Sequence, residues 1–138
     1  MSGRRRWRDG TGALRVAGRD AAVPVEIAAT YGPRRRGLLG RDGIDGAMLL
    51  TPCNSVHTFR MRFAIDVAYL DRKLRVVKVR TMGPGRLGRP RLRARHVLEA
   101  AAGAMAEWGV VAGARLTIET PGDGKDRGHD GHDGVGAP

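Results

Sequence analysis

Apolar and polar residues alternate over much of the middle of the chain, and this pattern predicts a β-sheet. A period of two residues places successive side chains on opposite faces of a strand. The β-branched residues concentrated in these segments favour strands over helices. The sequence predicts about eight short strands, at residues 13–17, 23–28, 47–50, 56–61, 65–71, 74–80, 94–98 and 115–119. The first alternates only weakly and is expected at an edge of the sheet.

Two segments favour short helices. Residues 30–39 begin with Thr30, which can cap a helix, and Gly40 ends them; residues 101–108 are rich in alanine and precede Gly109. Residues 82–91 hold three glycines and two prolines and predict a long loop. These elements predict a mainly β fold, a β-sandwich or jelly-roll-like small barrel with one or two short helices.

Composition divides the chain into three parts. Residues 1–12 are rich in Arg and Gly without periodicity and are expected to form a disordered basic arm. Residues 13–120 carry nearly all the apolar residues and are expected to form a single domain, because 138 residues are too few for two well-filled cores. Residues 121–138 are expected to form a disordered Gly/Asp/His tail, in which His129 and His132 would capture a divalent metal only loosely.

The net charge of +11 comes from 25 basic residues, of which 22 are Arg, against 14 acidic ones. This charge attracts anionic partners at least non-specifically. The chain has only two Trp, two Tyr and two Phe for base stacking, so a specific nucleic-acid partner is not expected. Weak nucleic-acid binding through the basic surface, including the arginines between Arg86 and Arg95, stays open as an alternative.

The sequence also predicts a compartment and excludes some classes of site. No run of about 18 apolar residues is present, so no membrane insertion is expected. The single cysteine, Cys53, excludes an intramolecular disulfide and a cysteine-only zinc cage. We therefore expect a cytoplasmic protein with no cofactor and no metal site.

Several ordered blocks resemble the family of domain of unknown function 192. The blocks are Arg36-Gly37-Leu38-Leu39-Gly40-Arg41, Gly46-Ala47-Met48-Leu49-Leu50, His57-Thr58-Phe59-Arg60-Met61-Arg62-Phe63-Ala64-Ile65-Asp66, and Val97-Leu98-Glu99 followed by Ala102-Gly103, Gly109 and Gly113. The third is the most specific, because it is similar to an H-T-F-x-M-R-F-x-I-D block of one branch of the family. The resemblance implies a compact, jelly-roll-like β domain and no established reaction.

Two departures from the family pattern lie inside these blocks. Ala64 stands where the family often has Pro, which leaves a looser turn before Ile65. Ala114 stands where the family often has Asp, so any role of that carboxylate is absent from this chain.

The densest polar group lies in the third block. Strict alternation over residues 56–61 would place His57 on the apolar face and Thr58 and Arg62 on the opposite face. A core-facing histidine needs a hydrogen-bond partner. His57 is therefore expected to be a structural histidine, and the alternative is a ligand-facing imidazole at the mouth of a barrel.

Two carboxylates lie among apolar neighbours and need partners. Asp66 follows Ile65, and Glu99 follows Val97 and Leu98. They could pair as the acid and base of a hydrolytic site. The alternative is a pair of structural bridges to arginines, which we favour because no nucleophile or metal triad accompanies them. The arginines available in the matched blocks and beside them are Arg36, Arg41, Arg62 and Arg95.

Two further residues could carry chemistry. Cys53 lies four residues before His57, and a Cys–His pair could form a thiolate nucleophile, but a small buried cysteine is the expected role. Arg34, Arg35 and Arg36 stand near the start of the predicted helix, where cations oppose the helix dipole. Arg36 is therefore expected to pair with a carboxylate or an anionic ligand.

These observations favour a small, soluble, non-catalytic binding or accessory domain with a polar pocket for a small or anionic ligand, with a protein partner also open. A hydrolase-type enzyme using the same cluster is the alternative. No catalytic residue is assigned. The candidate ligand-binding residues are Arg36, Arg41, His57, Thr58, Arg62, Asp66 and Glu99.

Overall fold

The fold is mainly β, as the sequence predicts. The computed structural model describes residues 5–58 and 61–121. Within these ranges the chain forms seven strands and two short helices, which follow one another as β1 (Gly10–Val16), β2 (Ala22–Ala28), α1 (Tyr31–Arg36), β3 (Ala47–Leu50), β4 (Ile65–Leu70), β5 (Val76–Met82), β6 (His96–Ala101), α2 (Ala104–Trp108) and β7 (Leu116–Glu119).

The strands form one curled sheet in the order β5-β4-β6-β3-β2-β1-β7. All neighbours are antiparallel except β2 and β3, which are parallel. The two edges meet at one end, where the Val76 amide donates to the Ala114 carbonyl (2.9 Å) and the Leu116 amide donates to the Leu74 carbonyl (3.0 Å). The sheet is therefore a half-barrel that closes at the start of β5 and β7.

The central strands β3, β4 and β6 are buried on both faces. Alternate residues, such as Leu49 and Leu98, fill the inside of the curled sheet. The residues between them, such as Met48 and Val97, pack on the outer face against Leu38 and other residues of the covering loops. Each charged residue in these strands therefore lies in one of two different buried environments, according to its position in the alternation.

The described residues of the predicted strand at 56–61, which are 56–58 and 61, form no strand. His57 makes a single bridge with Leu87, supported by the Thr58 amide on the Arg86 carbonyl and the Gly88 amide on the Val56 carbonyl (both 2.7 Å). The Met61 amide then turns back to the Thr58 carbonyl (3.1 Å), which ends any extended run. This segment is a covering loop on the outer face of the sheet.

Other element bounds differ by a few residues. Helix α1 ends at Arg36 because Gly37 takes a positive φ of 49°, so the predicted helix over 30–39 is shorter than expected. Strand β1 lies between β2 and β7 and is an interior strand. Both helices have six residues or fewer, and most of the domain is sheet and loop.

The sheet begins earlier than the composition suggests. Strand β1 starts at Gly10, and Asp9 accepts hydrogen bonds from the amides of Ala29 (2.6 Å) and Thr30 (3.0 Å). The Trp7 ring lies edge-on to His96, with ring centroids 5.5 Å apart. The last residues of the predicted arm thus pack on the domain. The rest of the predicted arm (residues 1–4), residues 59–60 and the predicted tail from 122 onward, with its two histidines, lie outside the described residues.

Candidate functional site

A pocket of about 350 Å³ opens between α1 and the outer face of the sheet. Helix α1 and the residues after it form one wall, residues 53–57 form another, and Leu50 of β3 and Glu99 of β6 form the floor. The lining combines apolar side chains with a carboxyl, a thiol, an imidazole and three guanidinium groups. We call it the α1 pocket.

The floor carries a buried carboxyl group. Glu99 is only 6% exposed, and no described residue donates a hydrogen bond to its carboxyl group or forms an ion pair with it. Gly37 lies directly beside it, since a Cβ there would stand 3.7 Å from Oε1. Burial raises the pKa of Glu99 to about 7, because the charged form loses water without gaining a cation. At neutral pH this carboxyl group is close to half ionised.

The rim of the pocket is basic. Arg34, Arg35 and Arg36 lie in the last turn of α1, where cations complement the helix dipole. The sequence-based expectation that they oppose the dipole at a helix start is wrong, because α1 is one short turn that begins only three residues earlier. Arg34 donates from Nη1 to the Ala29 carbonyl (3.0 Å), whereas Arg35 and Arg36 are exposed and can contact an anion.

A thiol lines the wall between floor and rim. Burial raises the pKa of Cys53, which donates from Sγ to the Ser55 carbonyl (3.2 Å). A thiol with a raised pKa stays protonated at neutral pH and is a poor nucleophile. The structure therefore gives no support to a Cys53–His57 thiolate pair, although both residues line the pocket.

The predicted faces of His57 and Thr58 are reversed. His57 is exposed at the mouth of the pocket, whereas Thr58 is fully buried. The Thr58 hydroxyl donates to the Gly83 carbonyl (2.6 Å) and accepts from the Arg86 amide (2.7 Å). Thr58 thus ties two loops together, and the alternation argument fails because the segment is not a strand.

Asp66 and Glu99 form neither an acid–base pair nor the bridges to arginines that the sequence favours, so both expectations are wrong. In the register of β4 and β6, Val67 is opposite Glu99 and Asp66 is opposite Ala100, so the two carboxyl groups point to opposite faces. Asp66 accepts hydrogen bonds from the amides of Gly103 (2.9 Å) and Met105 (3.1 Å) and from the Thr81 hydroxyl (2.6 Å). Its partners are the start of α2 and strand β5, which makes it a structural carboxylate.

Two predicted arginines have structural partners away from the pocket. Arg41 forms a two-pronged ion pair with Glu26, at 2.7 and 2.9 Å, and Arg62 pairs with Asp42 at 2.9 Å on the exposed surface. Neither arginine lines the α1 pocket. Of the seven predicted residues, the structure brings together Arg36, His57 and Glu99 and separates Arg41, Thr58, Arg62 and Asp66.

Sequence reasoning missed two features of the site. Tyr31, 70% exposed, lines the pocket mouth, and Gly37 leaves the space over Glu99 open. Gly37 lies in a block that the resemblance singled out, so a signal for it was present. The position of Tyr31 carried no signal, since a lone exposed aromatic side chain is ordinary on a protein surface.

Two classes of feature are absent from the described ranges. No group of three or more His, Cys, Asp and Glu side chains in residues 5–58 and 61–121 could hold a metal ion. No helix in the same ranges is long and apolar enough to cross a bilayer.

Comparison with solved structures shows the same fold in two bacterial proteins. A protein from Sinorhizobium meliloti 1021, described as a candidate transcription regulator, superposes with a TM-score of 0.70 at 20% identity, over 82% of this chain and 97% of that one. A protein of unknown function from Novosphingobium aromaticivorans DSM 12444 superposes with a TM-score of 0.63 at 18% identity, over 76% of this chain and 83% of that one. At these identities the likeness concerns the fold alone.

Sequence comparison identifies the family. The UPF0127 protein PH1112 of Pyrococcus horikoshii is 35% identical over 80 residues, which are 54% of this chain and 70% of the archaeal one. The profile of DUF192, described as an uncharacterized family, matches residues 13–118 and so spans the whole sheet except the first three residues of β1 and the last residue of β7. The chain therefore belongs to the DUF192 family.

Proposed function

We propose that this domain binds a small anionic molecule in the α1 pocket and catalyses no reaction of its own. The observation that carries the proposal is Glu99, a buried carboxyl group that faces the pocket without a described partner. Folding alone gives no reason to bury such a group, because an unpaired buried polar group opposes folding. Binding sites are where such groups concentrate.

The basic rim supports the anionic character of the ligand. Arg35 and Arg36 are exposed beside the pocket, and a planar guanidinium group suits a carboxylate or phosphate through two parallel hydrogen bonds. The protonated thiol of Cys53, and the position of Asp66 on the opposite face of the sheet, support binding without catalysis. The free thiol of Cys53 is compatible with a reducing compartment, and the proposed location is the cytoplasm.

The segments that carry the family resemblance also favour this pocket. Arg36 and Gly37 come from the first block, His57 from the third, and Glu99 from the last. Blocks that are far apart in sequence meet at one opening of the fold. A site shared by the family would be built in this way.

The proposal is tested by thermal shift of the full chain with phosphate, short-chain carboxylates, sugar phosphates and nucleotides. Arg36→Gln removes a rim cation, and Arg93→Gln removes an exposed cation that does not line the pocket. A ligand at about 100 times its Kd adds roughly 2.7 kcal/mol of stability. We expect an anion to stabilise the wild type and Arg93→Gln and to lose most of its effect on Arg36→Gln. Equal shifts in both variants would contradict binding at this pocket.

One observation favours a second function, a hydrolase-type enzyme. A carboxyl group with a pKa of about 7 can both donate and accept a proton at neutral pH, which suits a general acid or base. If Glu99 has this role, the full chain hydrolyses esters or phosphate esters, and Glu99→Gln abolishes turnover while keeping binding. If the full chain hydrolyses neither class of ester, the hydrolase alternative is wrong and the binding proposal stands.

A further inference from the structure

We propose that the ligand of the α1 pocket is a small zwitterion, whose anionic group contacts the arginine rim and whose ammonium group reaches Glu99 on the floor. This inference rests on the proposed function and names its ligand class. The compounds that fit are amino acids, amino sulfonates and aminoalkyl phosphates.

No cation of the pocket lining pairs with Glu99 on the floor. Helix α1 contributes Tyr31 and three arginines to the lining, residues 53–57 contribute Cys53 and His57, and β3 contributes only Leu50. None of them pairs with Glu99, and burial is the only cause that shifts its pKa. The arginines of the lining therefore form no ion pair with this carboxyl group.

The pocket thus has two separate polar ends. The rim carries fixed positive charge, and the floor carries an acid that becomes negative when a cation approaches. Gly37, which has no side chain, keeps the approach to Oε1 open between the two ends. A ligand with one anionic group would leave the floor unpaired, and a simple amine would leave the rim unpaired. A zwitterion pairs both ends, because its anionic group contacts the arginines and its ammonium group contacts Glu99.

The titration of Glu99 gives each ligand class a distinct pH dependence. An ammonium group binds the ionised carboxylate, and the ionised fraction rises about tenfold between pH 6 and pH 8 for a pKa of about 7. Affinity for a zwitterion therefore rises by up to about tenfold over this range, and binding releases a proton. An anion of constant charge without an ammonium group, such as propionate, prefers the protonated floor, so its affinity falls with pH.

His57 also lines the pocket, and its imidazole ring can contact an anionic group at the mouth. Its contribution has to be separated from that of Glu99. The pH series is therefore repeated with His57→Gln. Cys53 stays protonated across the series because its pKa is raised, and the arginines stay charged.

The experiment is an isothermal titration of the full chain with two matched sets of probes at pH 6, 7 and 8. The first set is β-alanine, its hydroxyl analogue 3-hydroxypropionate, and propionate. The second is phosphoethanolamine, glycol phosphate and ethyl phosphate. We expect β-alanine, whose own charges are constant over this range, to bind most tightly at pH 8, with an affinity about tenfold higher than at pH 6. The phosphate group of the second set gains charge near pH 6, so phosphoethanolamine is compared with its two partners at each pH. Glu99→Gln should remove both the preference for amines and the pH trend.

Glu119→Gln is the matched control. Glu119 is exposed, pairs with Arg15 at 3.5 Å, and does not line the pocket. It should leave the binding of all six probes unchanged. Glu99→Gln keeps the shape of the side chain and removes a buried acid, so its fold is checked by its melting temperature before titration.

The possible results separate the inference from the function on which it rests. If propionate or ethyl phosphate binds as tightly as its amine partner at pH 8, the zwitterion inference is wrong and anion binding stands. If the hydroxyl analogues equal the amines, the floor accepts a neutral donor and the inference is likewise overturned. If none of the six probes binds at any pH, the zwitterion inference is wrong, and the thermal-shift series with phosphate, sugar phosphates and nucleotides then decides whether anion binding stands.

Discussion

Replacement of Glu99 by Gln should make the domain more stable at alkaline pH. Glu99 is buried, and its carboxyl group has no described partner, so ionisation inside the fold is unfavourable. Gln has nearly the same shape and never ionises. The variant therefore isolates the free energy that the wild type loses when this carboxyl group gives up its proton.

The size of the effect follows from the pKa. Folding raises the pKa of Glu99 from 4.5 to about 7, so the unfolded chain releases its proton first as the pH rises. Stability is therefore unaffected below pH 4.5, falls as the pH rises toward 7, and levels off above it. A shift of this size corresponds to about 3 kcal/mol of unfolding free energy above pH 7. Between pH 5 and pH 8 the difference between wild type and variant should grow by about 2 to 3 kcal/mol.

Urea unfolding of both proteins at pH 5, 6, 7 and 8 measures this difference, provided that the transitions are two-state and the m-values agree. Other groups titrate equally in both proteins and cancel in the comparison. Glu119→Gln, at an exposed site, should give a nearly constant difference from wild type. A difference for Glu99→Gln that does not change with pH would refute the reasoning, because it would mean that a cation stabilises the carboxylate in the folded protein.

Three more predictions concern stability. Burial and the nearby Arg95 lower the pKa of His96 to about 4, so its neutral form is favoured on folding and stability should fall as the pH drops from 6.5 toward 4; the melting temperature should show this fall, and His96→Gln should reduce it. Asp66→Asn leaves one acceptor oxygen for three donors and should lower the free energy of unfolding in urea by about 2 kcal/mol. An unchanged free energy of unfolding with an unchanged m-value would contradict this role of Asp66. Gly46→Ala would place Cβ 2.2 Å from the Pro24 carbonyl oxygen and should lower the melting temperature sharply, whereas Gly43→Ala, with nothing within 4 Å, should not.

The fold class was predictable because most of the sheet follows the simplest rule of strand patterning. Strands β2 and β7 coincide with segments of period two, and the β-branched residues in β4 and β5 mark those strands by composition. The rule failed at residues 56–61, where apolar residues pack on the sheet from a loop. Burial of a covering loop also requires apolar side chains, and composition alone does not separate it from a strand.

The site was only partly predictable, because ion pairs depend on neighbours that are distant in sequence. Arg41 and Arg36 lie in the same matched block, yet Arg41 meets Glu26 of β2 and Arg36 stands at the pocket. Their separation depends on where α1 ends, and Gly37 sets that end with a positive φ. A sequence shows which arginines are present but not which carboxylate each of them meets.

Asp66 and Glu99 show most clearly why the face of a strand decides function. Each is a carboxylate among apolar residues in a strand that is buried on both sides. Asp66 is opposite Ala100, the residue after Glu99, and therefore lies on the inner face, where two amides and a hydroxyl group satisfy it. Glu99 goes to the outer face, where no described donor reaches it and a pocket stands open. The same local sequence pattern therefore gives a structural carboxylate in one strand and, in its neighbour, an acid that has no partner among the described residues.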